Sequence, residues 1–205
     1  MAYKQHIVEY FSGKQLPSHW INALSGSASH GMSDEIDGGF KTTCPNTTHG
    51  GIELNFNATN NEAGARRQYD LSSSTVIGVV KKTDLPTTGW LAVGCTDNPN
   101  LGTDAANNYS CKYHQSVSAY VQGRSGDGST TTDISSSLTM DTSFHAYKSE
   151  SLGAKILYTM DGSLEITKTT NMPTGKGNPS MRVGMNTAHS GGSTAQIRYL
   201  EAYNT

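Results

Sequence analysis

Apolar residues in this chain recur at alternate positions in short runs, and polar residues fill the gaps. Across 51–57, Ile52, Leu54 and Phe56 share one parity while Glu53, Asn55 and Asn57 share the other. Successive side chains of an extended strand point to opposite faces, so the pattern predicts a half-buried strand. Residues 75–80 are apolar on both parities, with Val76, Ile77, Val79 and Val80 around Gly78. That predicts a central strand covered on both sides. Residues 90–93 read the same way, with Trp90 expected in the core at the head of an apolar strand. Val117, Ala119 and Val121 alternate with Ser116, Ser118 and Tyr120.

Ile156, Tyr158 and Met160 alternate up to Asp161-Gly162, and Leu164 and Ile166 alternate away from it. Asp-Gly between two alternating runs predicts a two-residue hairpin, because a type I′ turn needs positive φ at both central residues. Met181-Val183-Met185 and Ile197-Tyr199 supply two late strands. Gly64 interrupts the one helix-like stretch, 60–70, which predicts a single turn or an ordered loop. Residues 123–132 (Gly-Arg-Ser-Gly-Asp-Gly-Ser-Thr-Thr-Thr) read as a loop by composition. Many short strands with regular turn signals, no helices between them and no linker predict one all-β sandwich or barrel spanning 1–205.

Composition narrows the function classes. The charged fraction is 16%, below the roughly 25% of an average soluble chain. Net charge is only -2 and Arg66-Arg67 is the one adjacent arginine pair, so there is no basic face for nucleic acid. No stretch approaches the ~20 apolar residues of a membrane span, so no membrane insertion is expected. No apolar leader follows Met1, and synthesis in a cytoplasm is the expectation. The three cysteines, Cys44, Cys95 and Cys111, make an odd set. They are expected as reduced thiols, with a Cys95–Cys111 pair as the alternative.

Several segments resemble a known family. Residues 9–20, from Glu9-Tyr10-Phe11 to His19-Trp20, resemble the opening of concanavalin A-like lectin/glucanase modules, where a Trp packs under the sandwich. Residues 144–150 (Phe-His-Ala-Tyr-Lys-Ser-Glu), the hairpin 156–162 and the closing strand 197–203 are similar to laminin-G-like jelly rolls. Residues 36–40 and 67–71 resemble small lectin-like modules of phage and virus proteins. The resemblance implies an antiparallel β-sandwich (jelly roll, concanavalin A-like). Its viral side implies a non-enzymatic virion structural or surface module, such as a capsid decoration, head-fibre or tail-associated protein.

The family's retaining glucanases carry Glu-x-Asp-x-x-Glu on one strand, and the reaction needs two carboxyl groups about 5–5.5 Å apart. Glu35 and Asp37 match the first pair, but Phe40 stands where the acid/base belongs, so catalysis is not expected. The loop after residue 96 offers oxygen ligands at Asp97, Asn100 and Asp104 for a weakly bound calcium, without the spacing of a standard calcium loop. No other cofactor is implied. Cys111 and His114 have metal-like spacing but no second pair, and read as a strand with residues on both faces. No Gly-x-Ser-x-Gly elbow occurs. His145 is expected beside Tyr147 near a sheet edge.

Sugar binding needs an aromatic platform and planar amides, which Asn107, Asn108, Tyr109 and Tyr113 offer together. The chain is therefore expected to act on a virion surface, as a homo-oligomer docked on a capsid or tail protein. The alternative is an extracellular carbohydrate-binding module attaching to glycans, and the third reading is a glycoside hydrolase.

Overall fold

The computed structural model describes residues 6–12, 15, 20–22, 28–32, 39–45, 49–54, 69–83, 89–97, 107–114, 118–185 and 193–205. These form strands and turns. The strands are β1 (His6–Glu9), β2 (Trp20–Asn22), β3 (Ser29–Met32), β4 (Phe40–Cys44), β5 (His49–Leu54) and β6 (Tyr69–Asp70). Then come β7 (Ser74–Lys82), β8 (Gly89–Thr96), β9 (Asn107–His114), β10 (Ser118–Asp127) and β11 (Thr131–Thr139). The chain closes with β12 (His145–Ser151), β13 (Ile156–Met160), β14 (Ser163–Lys168), β15 (Lys176–Met185) and β16 (Ser193–Asn204).

Two sheets result. The first runs β14-β13-β12-β7-β16-β4-β3, with β1 also on β16. The second runs β11-β10-β9-β8-β15-β5-β2, with β6 also on β15. Every strand pair is antiparallel. The core lies between the sheets, as the alternation requires. Val76 and Val80 of β7, Tyr147 of β12, and Ile156 and Tyr158 of β13 meet Leu91 and Val93 of β8, Cys111 of β9 and Met181 and Val183 of β15. Burying such side chains stabilises the fold by about 1.5–3 kcal/mol each.

Two glycines set how closely the layers approach. A Cβ on Gly78 of the first sheet would sit 2.7 Å from Val93 Cγ1 of the second. A Cβ on Gly123 of the second would sit 2.5 Å from the Tyr158 ring of the first. Each sheet leaves a gap that a side chain from the other fills, the interlocking that close-packed interiors require.

The 156–166 hairpin forms as expected. Asp161 and Gly162 have φ of 49° and 87°, and Met160 pairs directly with Ser163. The strand over 75–80 is central, between β12 and β16, with Ile77 and Val79 half-buried on its outer face. Trp20 is buried as the resemblance implies, its ring 5.8 Å from Phe11. All three cysteines are buried and free. The turn or loop expected over 60–70 lies outside the described residues, except that 69–70 form β6.

Three expectations are corrected. Residues 123–132 are not a loop: β10 runs on to Asp127 and β11 starts at Thr131. The turn between them is closed by the Asp127 carboxylate, which accepts from Ser129 N at 3.0 Å and Thr130 N at 2.8 Å. Polar composition hid a hairpin whose side-chain oxygens do the turning. Trp90 is half-buried on the outer parity of β8, while Leu91 and Val93 take the core. His145 does lie 6.2 Å from Tyr147, but at the end of a strand interior to its sheet rather than at a sheet edge. The two late strands form as expected, as β15 and β16, and within β16 a β-bulge lies between Ile197 and Tyr199, where a Cβ on Gly39 would fall 2.5 Å from Ile197 O.

Candidate functional site

The alternation that buries one face of the second sheet turns the other parity outward. Strand register aligns those outward residues in rows. One row runs Asp133, Arg124, Ser110, Gly94, Ser180 across β11, β10, β9, β8 and β15. On one side of it lie Ser135, Gln122, Ala92 and Arg182; on the other lie Thr131, Asn108, Thr96 and Asn178. Neighbouring strands are about 4.8 Å apart, so Arg124 to Ser180 spans roughly 14 Å.

The middle of this face is built from the smallest side chains. Gly94 lies between Ser110 and Ser180, and a Cβ there would fall 2.0 Å from the Tyr109 carbonyl. Larger side chains flank it, Gln122 and Arg182 on one side and Asn108, Thr96 and Asn178 on the other, so the row is a low strip, the trough of this face. Asn178 is 0% exposed, Gln122 3% and Ser180 5%, values unusual for polar residues on an outer sheet face.

Arg124 and Asp133 form one end of the trough. Arg124 Nε donates to Asp133 Oδ1 at 2.8 Å and Nη2 to Oδ2 at 3.1 Å. This two-pronged pair fixes both side chains in one geometry. From beneath, the Tyr158 hydroxyl donates to the Arg124 carbonyl. Gln122 Nε2 donates to Ser135 Oγ at 3.3 Å. No donor from the described residues reaches the buried Gln122 Oε1, and such an acceptor costs about 1–3 kcal/mol until something donates to it.

Behind the trough, inside the sandwich, Lys168 is buried and donates to Thr132 Oγ1 at 2.6 Å. Burial lowers its pKa, partly opposed by the charge of Asp133. Lys168 thus supplies a positive charge beneath the Arg124–Asp133 end.

Of the residues expected to bind sugar, Asn108 and Tyr109 do not come together. Asn108 lies on the outer face, half-buried, at the trough's edge. Tyr109 points the other way: it is fully buried in the core, its hydroxyl 2.7 Å from Ser74 Oγ. Burial and the charge of Cys95 raise its pKa, the Ser74 bond opposing them. Strand alternation forbids neighbours on β9 from sharing one platform. The side chains of Asn107 and Tyr113 lie outside the described residues.

Of the calcium candidates, Asp97 follows β8 and is half-buried, while Asn100 and Asp104 lie outside the described residues. Among the described residues, no group of three or more His, Cys, Asp or Glu is arranged to hold a metal ion. Glu35 and Asp37 also lie outside them. Among the described residues, no helix is long and apolar enough to cross a membrane.

Sequence reasoning missed Gln122, Arg124, Asp133, Asn178, Ser180 and Arg182. Part of the signal was available, since Ser180 and Arg182 interleave with Met181 and Val183. The pairing of β10, β8 and β15 that makes a surface of them was not.

No family model matches the chain, and no curated protein matches it. Solved structures do. A β-glucanase of Bacillus licheniformis superposes with a TM-score of 0.68 at 13% identity, covering 98% of each chain. The carbohydrate recognition domain of Emp47p gives 0.67 at 10% identity, covering 98% of this chain and 95% of that one. The Crh5 transglycosylase gives 0.68 at 13%, covering 98% and 85%. None of these three is a virion protein by name, and they lend no support to a particle-surface role. The architecture derived above is therefore the concanavalin A-like jelly roll shared by lectins and glucanases.

Proposed function

We propose that this chain is a non-catalytic carbohydrate-binding module that holds a glycan along the trough on the outer face of the second sheet. The observation that carries the reading is the trough itself: a floor of Gly94, Ser110 and Ser180 flanked by shielded amides and guanidinium groups. Small residues let a sugar ring approach the backbone. Arg124, Arg182 and Asn108 are half-buried planar groups suited to the paired hydroxyls of a pyranose, and half-buried Trp90 adds an aromatic edge. The likeness to a carbohydrate recognition domain favours the same class of ligand.

Hydrolysis needs a proton donor and a second carboxyl group at close range. Asp133 is the carboxylate at the Arg124 end of the row, and Arg124 engages both its oxygens. That pair suits a binding surface rather than acid catalysis.

The test is a glycan array with and without calcium, followed by calorimetry on each hit with wild type, Trp90→Ala and Arg182→Ala. Binding that weakens about tenfold or more in the variants, with unchanged circular dichroism, supports the proposal. A blank array, or binding indifferent to both substitutions, removes it. Steady release of reducing ends from a β-glucan, lost in Glu35→Gln, replaces it with a hydrolase.

A further inference from the structure

The outer face of the first sheet carries a second cluster that the trough does not use. Beyond its bulge, β16 turns Tyr199, Glu201 and Tyr203 outward while Leu200 and Ala202 stay in the core. The bulge between Ile197 and Tyr199 creates this arrangement: in unbroken alternation Tyr199 would follow Ile197 into the core. Beside β16, β1 places His6 opposite Tyr203 and Val8 opposite Glu201. Tyr10 follows β1, its ring 5.1 Å from Tyr199, and it is 64% exposed. On the other flank, half-buried Val79 and Ile77 pair with Tyr199 and Glu201.

A carboxylate organises these rings. Tyr199 Oη donates to Glu201 Oε2 at 2.6 Å, and His6 Nε2 lies 2.9 Å from Glu201 Oε1. The His6 ring meets Tyr203 edge-on at 5.7 Å. Burial alone would raise the pKa of Glu201, but the bonds from Tyr199 and His6 outweigh it and keep the group ionised. Tyr199 is thereby locked as a donor, with its pKa raised by burial and by the Glu201 bond. The rings are thus held in place before any ligand arrives, which lowers the entropy cost of binding.

An apolar protein partner is met by Leu, Ile or Phe. Here Val8, Ile77 and Val79 are the aliphatic fringe, while every ring has an oxygen or nitrogen at its rim and an ionised carboxylate sits at the centre. Pyranose rings have the complementary form, a flat C–H face bordered by hydroxyl donors. Tyr199 and Tyr203 are four residues apart on one strand, about 13 Å, so the cluster is long enough to meet more than one ring.

We propose that this face is a second carbohydrate-binding surface, stacking β-linked pyranose rings on Tyr10, Tyr199 and Tyr203 and accepting their hydroxyls at Glu201. It is independent of the trough, which lies on the opposite side of the sandwich.

The test uses the full chain carrying Trp90→Ala, so that the trough is weakened. Insoluble β-1,3-glucan, cellulose and chitin are the probes in a sedimentation assay, with cellohexaose and chitohexaose titrations followed by NMR. Tyr10→Ala and Tyr203→Ala are added singly, since both lie outside the core. Tyr199→Phe keeps the ring but removes its bond to Glu201. The expected result is retention on at least one polymer, weakened about fivefold or more by each alanine variant and less by Tyr199→Phe. Binding indifferent to the tyrosines overturns the proposal, and if Trp90→Ala alone abolishes binding, the trough reading stands by itself. Loss of concentration-dependent self-association in Tyr10→Ala, with glycan binding unchanged, also overturns it and assigns the face to a second copy. No retention by any variant or by wild type removes both sites.

Discussion

Gly123 is where the two sheets come closest around an aromatic ring, and adding one carbon there tests the packing account directly. In Gly123→Ala the new Cβ would lie 2.5 Å from Tyr158 Cδ2 and 2.6 Å from Cε2. Those are distances at which something must move. Tyr158 is 1% exposed, and its hydroxyl is tied to the carbonyl of Arg124, the next residue along the strand. The ring therefore has neither free volume nor a slack tether.

Overpacking a well-filled core costs typically about 1–3 kcal/mol. Replacing glycine in an extended strand returns about 0.4–1 kcal/mol through the unfolded chain. The net expectation is a loss of about 1–1.5 kcal/mol, which for a chain of this size lowers Tm by roughly 2–6 °C. Urea unfolding at constant m-value measures it. Gly31→Ala is the control, because its Cβ would meet nothing within 4 Å. In a Tyr158→Leu background the clash disappears, and Gly123→Ala should then cost little, a coupling of more than about 1 kcal/mol in the double-mutant cycle. A Gly123→Ala protein as stable as wild type, or full additivity with Tyr158→Leu, would mean that the Tyr158 ring is not the obstacle at this position.

Further outcomes follow from the same geometry. His145 lies between Asp161 Oδ2, 2.6 Å from Nδ1, and Asp141 Oδ1, 2.9 Å from Nε2. Burial pulls its pKa down, but the bonds to Asp161 and Asp141 win and raise it above the ordinary value. Its stabilisation is therefore complete below about pH 6.5 and fades as pH rises through the raised folded value. The Tm gap between wild type and His145→Gln should narrow over that alkaline window, and a gap constant from pH 6 to 9 contradicts the assignment. The three buried cysteines should resist a thiol reagent in the native protein and all react in denaturant without reductant, whereas one reactive thiol would mean that Cys95 and Cys111 had paired. Breaking the half-buried Arg124–Asp133 pair by Asp133→Asn should cost about 1–2 kcal/mol. It should also weaken glycan binding at the trough, and an unaffected affinity there would exclude that end from the site.

The sequence disclosed what depends on neighbours two residues apart. Continuous apolar runs located β7 and β8, period-two alternation located β15, and Asp161-Gly162 fixed a turn, because these signals are local. Residues 123–132 failed for the same reason inverted. Gly, Ser, Asp and Thr are the vocabulary of loops, yet β10 and β11 use Asp127 and Thr130 for a three-residue turn and pair the remainder. Tyr109 was misread because its cluster was assembled by closeness along the chain, while a strand sends adjacent residues to opposite faces. The Tyr199 face was hidden by a bulge, and Gly39, which packs against it, is far away in sequence.

The trough and the core are two consequences of one set of pairings. Gly94 cannot carry a Cβ because the Tyr109 carbonyl of β9 would lie 2.0 Å from it. The close approach of β8 and β9 therefore demands the smallest residue at the point where a ligand needs the floor to be lowest. Tyr109, on the other side of the same backbone, fills the core and bonds Ser74 across to the first sheet. A larger residue at position 94 would push β9 outward, lift Tyr109 from Ser74 and raise the floor at once. Stability and binding are thus coupled at that position, and substitutions there should impair both together. Those at Trp90 or Arg182, which line the face from half-buried positions, should separate them.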